Sequence, residues 1–137
     1  MRTFYWGIAV SVIAGCGDGG PGMCMPLEGT FLVETTELSG DCGPFDDFIV
    51  VLPLSPAEEE ASQCVFDARS VSDDRCRIDY EQTCPGVVPG VELSTTVGFV
   101  EFEPDGSGSI DVSEWCVRGE EGVRLCCSIY RTRWRRI

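Results

Sequence analysis

Apolar and polar residues alternate along most of the chain after residue 27, and this pattern predicts β-strands. Residues 30–38 are rich in β-forming side chains, and the apolar run Phe48–Leu52 ends at Pro53. Five further strands are predicted at residues 64–68, 75–82, 91–103, 109–117 and 123–134. Turn signals such as Pro104-Asp105-Gly106 separate them. The pattern therefore predicts an all-β fold, either a small antiparallel sandwich or a barrel-like meander.

One short helix is predicted at residues 56–63. Ser55-Pro56-Ala57-Glu58 has the spacing of a capping box, with proline at the first helical position. Glu58, Glu59 and Glu60 then fall in the first turn, where the helix dipole favours carboxylates. Because three consecutive residues point in different directions, a solvated turn is favoured over a cation site.

The first sixteen residues have the organisation of an export signal. Arg2 precedes an apolar run at residues 4–14, which is shorter than the roughly 20 residues of a transmembrane helix. The run ends in Ile13-Ala14-Gly15-Cys16, which resembles the bacterial lipobox. That resemblance implies cleavage before Cys16 and attachment of lipid to its thiol. Two or three acyl chains hold a protein stably in a membrane.

The chain accordingly divides into three parts. Residues 1–15 are predicted to be a lipoprotein signal peptide that includes a signal helix, and residues 16–27 a flexible tether rich in glycine and proline. Residues 28–137 form a single predicted β domain. Its size is close to the commonest for one domain.

Nine cysteines predict that disulfides staple this small domain. There is no C-x-x-C motif and no histidine, so a zinc site is not expected. Eight cysteines besides Cys16 are the disulfide candidates: Cys24, Cys42, Cys64, Cys76, Cys84, Cys116, Cys126 and Cys127.

The last hairpin allows one pairing to be predicted. A three-residue loop at 120–122 would set Gly119 opposite Val123 and Cys116 opposite Cys126. A cross-strand bridge between Cys116 and Cys126 is therefore predicted, with Cys127 on the other face and paired elsewhere. For the vicinal pair Cys126-Cys127, participation in two structural disulfides is favoured over a redox role.

Charge narrows the functions to be considered. The chain has 23 acidic and 10 basic residues, for a formal charge of −13, and every basic residue is arginine. Nucleic acid is not an expected partner, because phosphate binding needs a concentrated basic surface. Histidine and lysine, the usual general base and Schiff-base amine, are absent. No catalytic residue, metal ligand or cofactor is predicted.

The acidic clusters are interpreted as turns. Asp46-Asp47, Asp73-Asp74 and residues 105–111 lack the spacing and the distal glutamate of a calcium loop. With so many acids in the chain, nominating a pair for glycoside hydrolysis carries no weight.

The C-terminal residues 130–137 are basic and aromatic in an otherwise acidic chain. Two interpretations stay open. The segment contacts anionic lipid headgroups or a partner, or it is a last strand whose arginines pair with neighbouring carboxylates. The second is favoured, since acidic residues are in excess.

Two resemblances bear on the whole domain. Gly29-Thr30-Phe31 is similar to the Gly-x-Trp that precedes the first strand of lipocalin-like barrels, with phenylalanine replacing tryptophan. A lipobox before a short cysteine-rich β domain is similar to many lipoproteins of GC-rich Gram-negative bacteria. The second resemblance implies an exported protein, lipid-anchored to the cell envelope on the periplasmic face or in the outer membrane.

The expected function is that of a membrane-anchored, non-enzymatic binding or envelope component. The membrane, reached through a lipid on Cys16, is its predicted partner, and an envelope protein is a second. The alternatives are a small barrel that binds an apolar ligand and a carboxylate-based hydrolase.

Overall fold

The computed structural model describes Cys24 and residues 27–52, 64–86 and 89–137. These residues form an all-β structure of seven strands and one 3-10 turn, Glu120–Gly122. The strands are β1 (Gly29–Gly40), β2 (Phe48–Leu52), β3 (Val65–Val71), β4 (Arg77–Pro85), β5 (Leu93–Phe102), β6 (Gly108–Arg118) and β7 (Arg124–Arg136). The predicted signal segment at 1–15, most of the tether at 16–27 and the predicted helix at 56–63 lie outside the described residues.

All seven strands belong to one antiparallel sheet with the order β2-β1-β7-β6-β5-β4-β3. The all-β prediction is therefore confirmed, and the arrangement is one sheet rather than the two sheets of a sandwich. Strands β3 to β7 follow one another as a meander, and β7 then pairs with β1. Because the first and last strands are neighbours, the two outermost strands are β2 and β3, which follow one another in the chain.

The sheet curls around a single apolar core. Buried side chains of one cluster come from the outermost strand β2, with Leu52, and from β4, with Ile78. Four strands lie between β2 and β4 in the sheet order, so their side chains meet only because the sheet bends back on itself. Phe31 and Trp134 lie at the centre of the cluster, with ring centroids 6.3 Å apart.

The chain reverses sharply after β1 and folds back over β7 through residues 41–47. Gly40 has a φ of 115°, and a Cβ at this position would lie 2.3 Å from the carbonyl oxygen of Cys127. Only glycine fits this approach. The following segment packs Phe45 against Trp115, with ring centroids 5.3 Å apart.

Four disulfides cross-link the domain. They join Cys24 to Cys76, Cys42 to Cys126, Cys64 to Cys84 and Cys116 to Cys127. Such a density of disulfides in a small domain indicates an oxidising, extracytoplasmic location. The described residues hold no helix with the length and apolar character that a membrane crossing requires.

The predicted bridge between Cys116 and Cys126 is wrong by one residue. The amide of Gly119 does donate to the carbonyl of Val123, at 2.8 Å, as the predicted loop requires. A β-bulge then follows: Arg118 pairs with Arg124, but the next pair along is Val117 with Cys126. The extra residue in β7 sets Cys116 opposite Cys127 and leaves Cys126 to pair with Cys42.

Candidate functional site

Side chains of strand β7 point alternately to the inner and the outer face of the sheet. Its inner face is buried and contributes Tyr130, Thr132 and Trp134. Its outer face is exposed and contributes Arg131, Arg133 and Arg135. Because side chains two apart on a strand are roughly 7 Å apart, the three arginines form a line about 13 Å long.

This line of arginines forms the floor of an open groove of about 480 Å³. Glu34 and Thr36 of β1 line one side, and Ile110 of β6 lines the other. The strand register fixes their positions, since Arg133 lies opposite both Glu34 and Ile110. We call these six residues the arginine groove: Glu34, Thr36, Ile110, Arg131, Arg133 and Arg135.

Two of the three guanidinium groups have no carboxylate partner among the residues that the structure describes. Arg135 lies 3.3 Å from a carboxylate oxygen of Glu34. No ion pair within 4.0 Å joins Arg131 or Arg133 to any acid of the described segments. The predicted pairing of the C-terminal arginines with carboxylates is therefore correct for Arg135 and wrong for Arg131 and Arg133. Arg136, the fourth arginine of this segment, also has no carboxylate partner among the described residues and donates to backbone carbonyls.

Two other arginines on the same sheet do form ion pairs with carboxylates. Arg77 lies 3.0 Å from Glu101, and Arg69 forms an ion pair with Glu81. Arg131 and Arg133 instead keep their donors for solvent or a ligand. Guanidinium donors of this kind bind carboxylate, phosphate or sulfate groups in forked geometry.

The groove opens at the end of the sheet where the N-terminal segment joins the domain. Next to Arg135, Arg136 donates to the backbone carbonyls of Glu28 at 3.1 Å and Gly106 at 2.8 Å. At the same end Cys24 is bonded to Cys76, and the amide of Phe102 donates to the carbonyl of Cys76 at 2.7 Å. Phe102 pairs with Ser109, and the preceding residue, Gly108, pairs with Arg135. Cys24 and Arg135 therefore lie at the same end of the domain.

A second group of polar residues lies in the interior. Asp111 is 4% exposed and accepts a hydrogen bond from the hydroxyl of Tyr80. Burial raises the pKa of the Asp111 carboxyl to about 7, although the hydrogen bond from Tyr80 opposes the shift. Burial beside this carboxyl also raises the pKa of Tyr80 well above its ordinary value. Both side chains are buried inside the sheet.

Several buried polar atoms have no hydrogen-bond partner among the described residues. They are Oδ1 of Asp111, Oγ of Ser109 and Ser113, Nε2 of Gln82 and Nε1 of Trp134. Buried polar groups without partners reduce stability.

The turn interpretation is confirmed for Asp73-Asp74 and Asp105, whereas Asp46-Asp47 lie in an irregular segment and Asp111 lies in β6. The carboxylate of Asp74 accepts from the hydroxyl of Ser72 at 2.7 Å and the amide of Cys76 at 2.9 Å, and these bonds lower its pKa. Asp105 accepts from the amide of Ser107 at 2.9 Å. Asp46-Asp47 and Asp73 are exposed.

The described acids and cysteines include no group of three that could hold a metal ion. Glu58, Glu59 and Glu60 lie outside the described residues.

Sequence reasoning missed the burial of Asp111, which was interpreted as the end of a polar turn. A signal was present, because Ser109, Asp111 and Ser113 alternate with Ile110 and Val112 and so share one face. The sequence does not indicate which of the two faces is buried.

Comparison with known proteins assigns no family to this chain. No protein-family model, no curated protein and no solved structure matches it.

Proposed function

We propose that this protein is an exported lipoprotein, held in a membrane by lipid on Cys16. Its disulfide-stapled domain serves as a non-enzymatic binding component of the cell envelope. The observation that carries the proposal is the use of the cysteines. Of nine cysteines, eight pair with one another in four disulfides. Cys16 is thereby left without a partner cysteine in its own chain, and it is the residue that the lipobox would modify.

The position of the first disulfide supports the same proposal. Cys24 follows Cys16 by eight residues and is joined to Cys76 in the folded domain. An extended chain of eight residues spans at most about 29 Å. A lipid on Cys16 would therefore hold the domain close to the membrane surface, within reach of other envelope components.

The binding role is supported by the arginine groove. Arg131 and Arg133 are exposed and carry no ion pair within the described part of the chain, in a protein with a formal charge of −13. A concentration of unpaired positive charge on an acidic protein suits recognition of an anionic group. The hydrolase alternative has less support, because the buried carboxyl of Asp111 is enclosed by packed side chains.

The apolar-ligand alternative also has less support. Such a ligand would occupy the interior of the curled sheet, where Phe31, Tyr80, Tyr130 and Trp134 are each 2% exposed or less. These side chains fill the space in which a preformed apolar pocket would lie.

The test is the intact mass of protein extracted from membranes of a cell that produces the full chain, with thiols alkylated before and after reduction. We expect a chain that begins at Cys16, carries acyl groups and takes up alkyl groups on eight thiols only after reduction. Cys16→Ser should abolish the acyl mass. The matched control Cys42→Ser removes one disulfide and should keep the acyl mass. A wild-type chain without acyl mass would overturn the proposal.

A further inference from the structure

We propose that the arginine groove binds the phosphate headgroups of anionic phospholipids in the membrane that holds Cys16. This inference rests on the proposed lipid anchor and adds a second contact between the domain and the same membrane. It assigns to Arg131 and Arg133 the role of phosphate ligands. Arg135 already forms an ion pair with Glu34.

The first argument is position. Cys24 and Arg135 lie at the same end of the sheet, joined through the contacts of Phe102 and Ser109. The segment from Cys16 to Cys24 reaches no farther than about 29 Å. The end that carries Arg135 is therefore the end at which the anchor segment enters the domain. Arg133 and Arg131 follow on the same outer face of β7, roughly 7 and 13 Å farther away.

The second argument is charge. A chain with a formal charge of −13 is repelled as a whole by an anionic surface. Attachment therefore requires a local patch of the opposite sign. The segment 131–136 holds four of the ten basic residues, and only one of these four, Arg135, has an ion-pair partner in the described structure. Arg136 donates to backbone carbonyls, which leaves Arg131 and Arg133 free to bind an anion. Each arginine near an anionic leaflet contributes about 1 kcal/mol to binding.

The third argument is the character of the groove wall. Ile110 lies opposite Arg133 and is 42% exposed, so an aliphatic side chain adjoins the guanidinium groups. A phospholipid presents a phosphate above a glycerol and acyl region, which suits this pairing of charged and apolar surface. A free phosphate ion would use only the arginines.

The test uses the full chain, purified in a neutral detergent, and short-chain phosphatidylglycerol as the probe. Binding is measured by calorimetry and by NMR shifts of the arginine Nε–Hε groups. The comparison probes are short-chain phosphatidylcholine and inorganic phosphate. We expect saturable binding of phosphatidylglycerol with shifts at Arg131 and Arg133, weaker binding at higher salt, and at least tenfold weaker binding of the other two probes.

The variant Arg131→Gln/Arg133→Gln should weaken phosphatidylglycerol binding by about 10- to 30-fold. The matched control Arg69→Gln/Arg124→Gln removes the same charge from exposed positions outside the groove and should change binding less than twofold. The groove variant should keep the wild-type unfolding midpoint, and the control, which loses the exposed ion pair of Arg69 with Glu81, should lower it only slightly.

Three results would overturn the inference. They are equal weakening in the two double variants, binding of inorganic phosphate as tight as that of phosphatidylglycerol, or no binding of either probe. The intact mass of the same sample reports acylation of Cys16 independently. A missing anchor and an inactive groove are therefore distinguished in one preparation.

Discussion

Side chains alternate between the two faces of the sheet on both β6 and β7, but polar residues face inward on β6 and outward on β7. On β7 the aromatic residues face inward and the arginines outward, in the usual arrangement of a sheet with one face in water. On β6 the polar residues Ser109, Asp111 and Ser113 are buried, and Ile110 on the outer face is 42% exposed. The comparison teaches that alternation sets which residues share a face, whereas the partners across the sheet decide which face is buried.

The inversion on β6 has a local cause in its neighbours. Asp111 pairs with Thr132 of β7 on one side and with Val100 of β5 on the other. Tyr80 of β4 reaches across β5 to donate to Asp111, so the polar side chains of β6 face a strand that supplies a donor. Placing Ile110 outside also provides the apolar wall of the arginine groove.

Replacing a large inner residue of β7 should give the largest effect. Trp134 is 2% exposed and packs against Phe31 and Phe48. Trp134→Ala should lower the free energy of unfolding by about 3–5 kcal/mol, because it leaves a cavity in the core. Denaturant unfolding of the oxidised protein measures this change. Arg133→Ala is the control on the outer face, and an equal loss in both variants would contradict the assignment of faces.

Removing the charge of Asp111 should show how much stability the domain loses by burying this carboxylate on β6. The folded-state pKa of about 7 exceeds the ordinary value of 3.8, so the carboxyl favours folding below about pH 4 and loses that contribution as pH rises through 7. The loss is about 4 kcal/mol for a shift of this size.

Asp111→Asn keeps an oxygen that accepts from Tyr80 and has no charge to bury. We expect it to match wild type at pH 4 and to unfold at higher denaturant concentration than wild type at pH 8. The exposed control Asp105→Asn should keep the wild-type pH dependence between 5 and 8. Parallel pH profiles for wild type and Asp111→Asn would show that the carboxyl is not buried.

A buried hydroxyl without a partner should be dispensable. The hydroxyl of Ser109 on β6 has no partner among the described residues, whereas that of Thr132 on β7 lies 3.4 Å from the hydroxyl of Thr35. Ser109→Ala should leave the free energy of unfolding unchanged or raise it by up to about 1 kcal/mol, and Thr132→Val should lower it by about 1 kcal/mol. Thermal unfolding compares the two. A larger loss for Ser109→Ala would mean that its hydroxyl has a partner in solution.

The smallest effect on stability is expected on the outer face of β7. Arg133→Gln removes an exposed charge with no ion pair among the described residues and should change the free energy of unfolding by less than about 0.5 kcal/mol. Arg135→Gln breaks the contact with Glu34 and should cost less than about 1 kcal/mol. Denaturation at low and high salt checks both values. A loss above 2 kcal/mol for Arg133→Gln would show that it supports the fold.

Much of the fold was predictable because its strands have clear patterns. All seven observed strands overlap predicted ones, and the alternation of arginines with Tyr130, Thr132 and Trp134 is visible in the sequence. The disulfide pattern was not predictable, because the bulge after Arg124 shifts the pairing of Cys116 by one residue. A bulge depends on the twist of the surrounding sheet and has no local signature here.

The arginine groove was predictable only in part. The sequence indicates that Arg131, Arg133 and Arg135 share a face, and it offers many carboxylates with which they could pair. Which of them pairs depends on the register between β1 and β7, which sets Glu34 opposite Arg133 and diagonal to Arg135. The burial of Asp111 likewise depends on Tyr80, 31 residues away in the chain.

The bond between Cys24 and Cys76 also determines the path of mechanical load. A pull on the chain before Cys24 divides at this crosslink, and one branch enters the turn between β3 and β4. Without the crosslink the whole force would act on β1 and peel it from β7 one hydrogen bond at a time. With it, part of the force passes into the far side of the sheet and is shared by several strands. The domain is thus built to resist tension applied at its N-terminal end.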